Sequence, residues 1–223
     1  MALILLIETA TKKCSASLSL NNKIIANIEE LDEQYSHSEK LTVFIEKLFI
    51  NQDISIYDLD AVAVSKGPGS YTGLRIGVST AKGICYSLGI PLISVSTLKS
   101  MTYGVIANMQ AELYCPMLDA RRMEVYTAFY DKSLTEFRGE KADIIDKNSY
   151  KLELKNTVLF FGDGANKCKK IIQNDNAIFI DNIYPSSKDM LKLANHKYNI
   201  KEFEDVAYFE PFYLKDFIAG KKD

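Results

Sequence analysis

Apolar and polar positions follow two periods along the chain and divide it into strands and helices. Residues 2–8 are almost wholly apolar and run into Glu8-Thr9-Ala10-Thr11, which predicts a buried strand. Cys14 to Leu20 reads Cys-Ser-Ala-Ser-Leu-Ser-Leu, the alternation of a half-buried strand. Asn21-Asn22 suits a tight turn, and Lys23 to Ile28 returns as a third strand, so the chain is predicted to begin with a meander. Ser36 and Glu39 have capping-box spacing. Behind them Leu41, Phe44, Ile45, Leu48 and Phe49 share one helical face. Val43 and Ile50 lie off that face, which points to burial on a second side.

A strand over Leu59 to Val64 leads into Gly67-Pro68-Gly69-Ser70-Tyr71-Thr72-Gly73-Leu74-Arg75-Ile76-Gly77, the stretch that organises the chain. Its glycines allow positive φ or close approach, and Pro68 stiffens the turn. Ser70 and Thr72 are natural caps for a helix opening near Gly73 and running to about Leu88. Free N–H groups at such a start can hold an anion. The spacing, however, matches neither known phosphate motif: Gly73 is followed by Leu74 and Arg75, not by Lys and Ser or Thr, and the glycines read G-x-G-x-x-x-G. A capped strand-to-helix turn is therefore favoured over a phosphate cradle. Leu74, Val78, Ala81, Cys85 and Leu88 form an apolar stripe, and Gly73, Gly77 and Ala81 a small one that Ser79 and Gly83 extend. Glycine within a helix costs about 1 kcal/mol relative to alanine. Gly77 and Gly83 thus imply a very close neighbour, either the chain's own sheet or a helix of another chain.

Pro91 to Val95 predicts another buried strand, and Thr97 a cap for a helix to about Asn108. The second half repeats the theme more loosely: strands over Leu113 to Leu118 and Glu124 to Tyr130, then a polar stretch with short β-like pieces such as Ala142 to Ile145. Thr157 to Phe161 is a strand closed by Gly162-Asp163-Gly164, Cys168 to Ile172 a helix, Ala177 to Ile180 a strand, and Ser186 and Asp189 open a helix to about Tyr198. Two meander-then-helix halves imply a duplicated α/β unit with subdomains 1–105 and 106–223, the tail returning onto the first.

Composition narrows the chemistry. Of 223 residues 47% are hydrophobic, enough for a large core, and the net charge of −2 excludes a broadly basic nucleic-acid surface. Four dispersed cysteines make neither a zinc knuckle nor a disulfide framework and fit a reducing cytosol. The first apolar run is too short for a membrane span. Only His37 and His196 are present, with no two-histidine metal motif, so a metallopeptidase is disfavoured. Glu8 and Asp119 each end the first strand of one half, where a duplicated fold can place magnesium-binding carboxylates, yet neither is followed by the glycine that a gripped phosphate requires. Asp163 reads as a turn residue, and Arg121 and Arg122 as phosphate or carboxylate ligands or a solvated turn.

Glu8-Thr9-Ala10-Thr11, His37-Ser38-Glu39, the Gly67–Gly77 stretch, Asp119-Ala120-Arg121-Arg122-Met123-Glu124-Val125-Tyr126 and Tyr213-Leu214-Lys215, in this order, resemble the bacterial TsaB (YeaZ) family over nearly the whole chain. The resemblance implies an actin-like ATPase (ribonuclease H-like/ASKHA) fold of two related subdomains, each a mixed sheet with flanking helices. It implies a cytoplasmic, non-catalytic scaffold in making threonylcarbamoyladenosine in tRNA. Such a scaffold pairs with the transferase paralogue TsaD, recruits the ATPase TsaE, and forms homodimers when its partner is absent. ATP, ADP and metal would be held by the partner proteins, and tRNA met only through the complex. Pairing would use the two early helices, with His37, Leu41, Ser70, Tyr71, Thr72, Arg75, Gly77, Val78, Ala81 and Lys82 as interface residues. The family's usual Asp-Thr-Ser is here Glu8-Thr9-Ala10, and the extra methylene would misplace a magnesium-bound water. A stand-alone sugar-kinase or ATPase-like enzyme using Glu8 and Asp119 is the alternative.

Overall fold

The computed structural model describes residues 2–32 and 36–215; Met1, residues 33–35 and residues 216–223 of the two expected subdomains lie outside it. Ten strands form two five-stranded sheets. The first contains β1 (Leu3–Glu8), β2 (Lys13–Leu20), β3 (Lys23–Leu31), β4 (Ala61–Gly67) and β5 (Leu92–Ser96), in the order β3-β2-β1-β4-β5. The second contains β6 (Leu113–Asp119), β7 (Glu124–Tyr130), β8 (Glu136–Ile144), β9 (Val158–Phe161) and β10 (Ala177–Ile180), in the order β10-β9-β6-β7-β8. In both, the first strand of the meander pairs antiparallel with the next and parallel with a later strand: β1 with β2 and β4, β6 with β7 and β9.

Helices connect the parallel strands, as crossovers require. In the first half α1 (His37–Gln52) precedes β4, and α2 (Tyr71–Leu88) joins β4 to β5. In the second half the one-turn α4 (Ala165–Cys168) lies between β9 and β10. α3 (Thr97–Ile106) carries the chain from one sheet to the other, and α5 (Leu191–Asn199) follows a 3-10 turn at Ser187–Met190. Because β1 has helices on both faces, every one of its side chains is buried. Leu5 and Ile7 pack with Leu41, Leu48, Val78 and Ala81 of α1 and α2. Ile4 and Leu6 pack with Met190 and Ala194, so the chain beyond Ser186 returns to the first sheet. Leu98, Met101 and Val105 of α3 cover the second sheet over Tyr114, Leu118, Tyr130 and Phe161.

The structure departs from the sequence expectation at several points. The Cys14–Leu20 strand is buried on both faces, not one: Ser15, Ser17 and Ser19 are fully buried. Ser187 lies 2.7 Å from the Ser15 hydroxyl and 2.6 Å from that of Ser17, and Ser19 donates to the Ile4 carbonyl, which satisfies these polar groups inside. The capping box at Ser36 does not form: its hydroxyl accepts no helix N–H and is turned to donate to Asp32. α2 begins at Tyr71, two residues before Gly73, with Ser70 as its N-cap, and Ser96 rather than Thr97 caps α3. The Cys168–Ile172 helix is displaced, since α4 ends at Cys168. β8 occupies much of the stretch read as polar with short β-like pieces. Val43 and Ile50 are exposed, 40% and 69%, so α1 buries a single side within this chain. Among the described residues no helix is long and apolar enough to cross a membrane.

Candidate functional site

The Glu8–Thr11 turn is wedged between the starts of α1 and α2, and its carbonyls face helix groups. The Thr9 carbonyl touches Gly73 so closely that a β-carbon there would sit 2.1 Å from it. The Ala10 carbonyl accepts from the Ser70 N–H at 2.7 Å, and the Thr11 carbonyl lies 2.7 Å from Nε2 of the buried His37. The Thr9 hydroxyl donates to the Gly73 carbonyl at 2.8 Å. Gly69 is equally confined, since a β-carbon on it would meet the Ala10 carbonyl at 2.5 Å. This answers the question the glycines raised: the close neighbour of Gly73 and Gly77 is the chain's own first turn. Gly83 is different, exposed, with none of the described residues within 4 Å of an added β-carbon.

Glu8 is fully buried beneath this turn. Its Oε1 accepts from the Ala10 N–H at 2.7 Å, and among the described residues its Oε2 has no hydrogen-bond partner. Burial pushes its carboxyl up to about 7, with a smaller push from the charge of Asp189. The acid near Glu8 is thus Asp189, itself raised to about 6 by burial and resting against Gly104 of α3. Sequence pairing of Glu8 with Asp119 missed this, because Asp189 reads locally as a helix-start residue.

Asp119 ends β6 half exposed, and its surroundings are also taken. Its Oδ1 accepts from the Arg121 N–H at 2.8 Å and lies 2.5 Å from the ammonium of Lys167. Lys167 further donates to the carbonyls of Arg122 and Glu124, at 2.7 and 2.6 Å. Asp163, expected as a turn residue, accepts from the Asp119 N–H at 2.9 Å, and burial raises its carboxyl. Among the described residues no three of His, Cys, Asp and Glu gather as metal ligands; His37 is buried and His196 sits exposed on α5.

The ten expected interface residues divide by exposure. His37, Leu41, Gly77, Val78 and Ala81 are buried within this chain, so they shape α1 and α2 without lying on their surface. Thr72 and Arg75 are exposed, and Ser70, Tyr71 and Lys82 half-buried. The chain's own tail occupies part of this surface. Lys82 donates to the carbonyls of Ala207 and Phe209 at 3.1 and 3.0 Å, the Arg75 guanidinium to the Tyr213 hydroxyl at 3.3 Å, and Tyr213 lies against the Tyr71 ring at 4.6 Å.

Two meander-and-crossover sheets joined by α3 define an actin-like ATPase fold. The same fold, with a TM-score of 0.52 and 12% identity, occurs in the activator of 2-hydroxyisocaproyl-CoA dehydratase from Clostridium difficile, over 91% of this chain and 98% of that one. YeaZ from Pseudomonas aeruginosa superposes with a TM-score of 0.82 at 23% identity, covering 96% of this chain and all of that one. A family model described as TsaD, tRNA N6-adenosine threonylcarbamoyltransferase, matches residues 23–222. The tRNA threonylcarbamoyladenosine biosynthesis protein TsaB of Buchnera aphidicola subsp. Baizongia pistaciae is 31% identical, over 96% of this chain and 98% of its own length. The chain belongs to the TsaB (YeaZ) family of tRNA threonylcarbamoyladenosine biosynthesis proteins.

Proposed function

We propose that this chain is a non-catalytic scaffold in threonylcarbamoyladenosine formation, pairing with and activating a TsaD-type transferase and recruiting the ATPase TsaE. One observation carries the reading: of the two carboxylates that an actin-like ATPase would place around magnesium and phosphate, one is shut away from solvent and the other is paired with a lysine. Glu8 is sealed under the Glu8–Thr11 turn, and Asp119 is held by Lys167. A turn whose carbonyls are packed against helices has no backbone N–H cradle to offer a phosphate. ATP and metal then belong to the partner proteins, in the cytoplasm.

The docking surface in this reading is the outward side of α1 and α2, where Val43, Ile50, Thr72, Ser79, Gly83 and Tyr86 are exposed. Tyr86 is 84% exposed and Ile50 69%, which favours a covered apolar patch on the working protein. In the absence of its partner the same face would pair two copies of the chain. Mixing the chain with its own organism's TsaD-type paralogue and following mass by light scattering tests the pairing, and a stable heterodimer is expected. Calorimetry with ATP and magnesium on the isolated chain tests the scaffold assignment. Micromolar binding lost in Glu8→Ala would reverse it in favour of an enzyme.

A further inference from the structure

The turn between β6 and β7 has a chemistry that its geometry does not require. Arg121 and Arg122 both adopt the left-handed backbone conformation, with φ of 68° and 49°. For residues carrying a β-carbon this costs on the order of 1 kcal/mol each, and glycine or asparagine is the ordinary choice. Asn21 and Asn22, at φ of 53° and 60°, make that choice where β2 turns into β3, whereas Leu134, Tyr150 and Lys201 share the positive φ of the arginines.

Their charges are also left uncancelled. The two carboxylates beside the turn are each taken by a lysine: Asp119 by Lys167, and Glu124 by Lys215. Both guanidinium groups are exposed, and among the described residues neither has a hydrogen-bond or ion-pair partner. Lys167 reaches under the turn to the carbonyls of Arg122 and Glu124 and fixes its shape. Two solvent-facing guanidinium groups on a turn whose backbone Lys167 holds suit a ligand made of successive oxyanions.

We propose that the Arg121-Arg122 turn is a phosphodiester-backbone contact through which this chain itself touches tRNA. The proposal rests on the assembly reading above for the identity of the nucleic acid. The turn contributes attraction and orientation rather than base reading, because guanidinium groups facing solvent on a short turn have no groove to enter.

The test uses the full chain in complex with its TsaD-type paralogue and an unmodified tRNA transcript, titrated by fluorescence anisotropy across a range of salt. Arg121→Asn/Arg122→Asn removes both charges and eases the backbone, so folding is retained. The double variant should raise Kd about tenfold or more near ~100 mM salt. It should also flatten the slope of log K against log salt by about 1.4–1.8, the value for two lost phosphate contacts. Lys132→Asn, on the exposed turn after β7, should change neither quantity. Unchanged Kd and slope in the double variant would overturn the proposal. Light scattering on the same samples separates the two levels: an intact heterodimer with unaltered tRNA binding defeats this inference alone, whereas absence of a heterodimer in the wild type defeats the assembly reading.

Discussion

A β-carbon placed on Gly77 would stand 2.3 Å from the hydroxyl oxygen of Thr9. That hydroxyl cannot simply swing away, because it is buried and committed to the Gly73 carbonyl. Gly77→Ala should therefore destabilise the chain by about 1–3 kcal/mol, the overpacking cost exceeding the ~1 kcal/mol that alanine gains as a helix former. Gly83→Ala in the same helix meets nothing within 4 Å and should stabilise by about 0.5–1 kcal/mol. Urea unfolding of the two variants beside the wild type reads both signs, and equal effects would refute the packing argument.

Glu8 gives a pH prediction whose sign follows from its burial. Its folded carboxyl titrates near 7, above the ordinary value of 4.5. Its stabilising contribution is then fully present below about pH 4.5 and disappears as pH rises through 7, where a charge must be held in the core. Glu8→Gln should match the wild type near pH 4.5. At pH 8 it should exceed it by on the order of 2–3 kcal/mol. Thermal melts of both proteins across that range are the check, and parallel profiles would show that Glu8 ionises at its ordinary value, hydrated in the folded chain.

Glu29 has the opposite sign. Burial pushes its carboxyl up, but hydrogen bonds from Ser186 and Lys13 and the charges of Lys13 and Lys188 outweigh it and hold it at about 2. Its contribution is present above pH 4.5 and lost as pH falls towards 2. The residue ties β3 to the returning segment at Ser186, next to the Ser187 contacts with Ser15 and Ser17. Glu29→Gln should lower the thermal midpoint at pH 7 and converge on the wild type near pH 2–3. Salt should shrink the difference, because the group is partly exposed.

These two acids also show what could be read from the sequence and what could not. Strands and helices marked by local periodicity were legible: the Glu124–Tyr130 and Ala177–Ile180 bounds coincide with β7 and β10, and the α1 face from Leu41 to Phe49 is buried as the spacing required. The buried Ser15 and Ser17 of β2 were not, because their partner Ser187 lies 172 and 170 residues further along and alternation alone reads such positions as solvent-facing. Gly77 and Gly83 of α2 looked equivalent for the same reason: only the path of the Glu8–Thr11 turn distinguishes them. Lys167, on a one-turn helix, carries no pattern that points to Asp119.

Lys82 should fasten the tail more than it stabilises the fold. Its ammonium bonds two tail carbonyls, Ala207 and Phe209, from a half-buried position on α2. Lys82→Ala should raise amide exchange through residues 205–213 several-fold while leaving protection in β1 and β4 unchanged. Uniform protection in the variant would mean that the Phe212–Lys66 backbone bond and the Tyr213–Tyr71 contact hold the tail without it.

The pairing surface is best tested where the isolated fold is indifferent. Gly77→Arg would be uninformative, since Thr9 excludes any side chain there and failure to fold would imitate failure to pair. Gly83 is exposed, has open space around it, and lies on the outward side of α2. Gly83→Arg should leave the melting temperature of the isolated chain the same or slightly higher, because arginine is the better helix former. If α2 docks against a partner helix, the new side chain inserts a charge into a close contact. It should then weaken association with the TsaD-type paralogue by at least 2 kcal/mol, about thirtyfold or more in Kd. Sedimentation of the mixture measures it directly. A heterodimer of undiminished affinity would place docking elsewhere on the chain, since no other explanation of an accommodated arginine leaves Gly83 inside the interface.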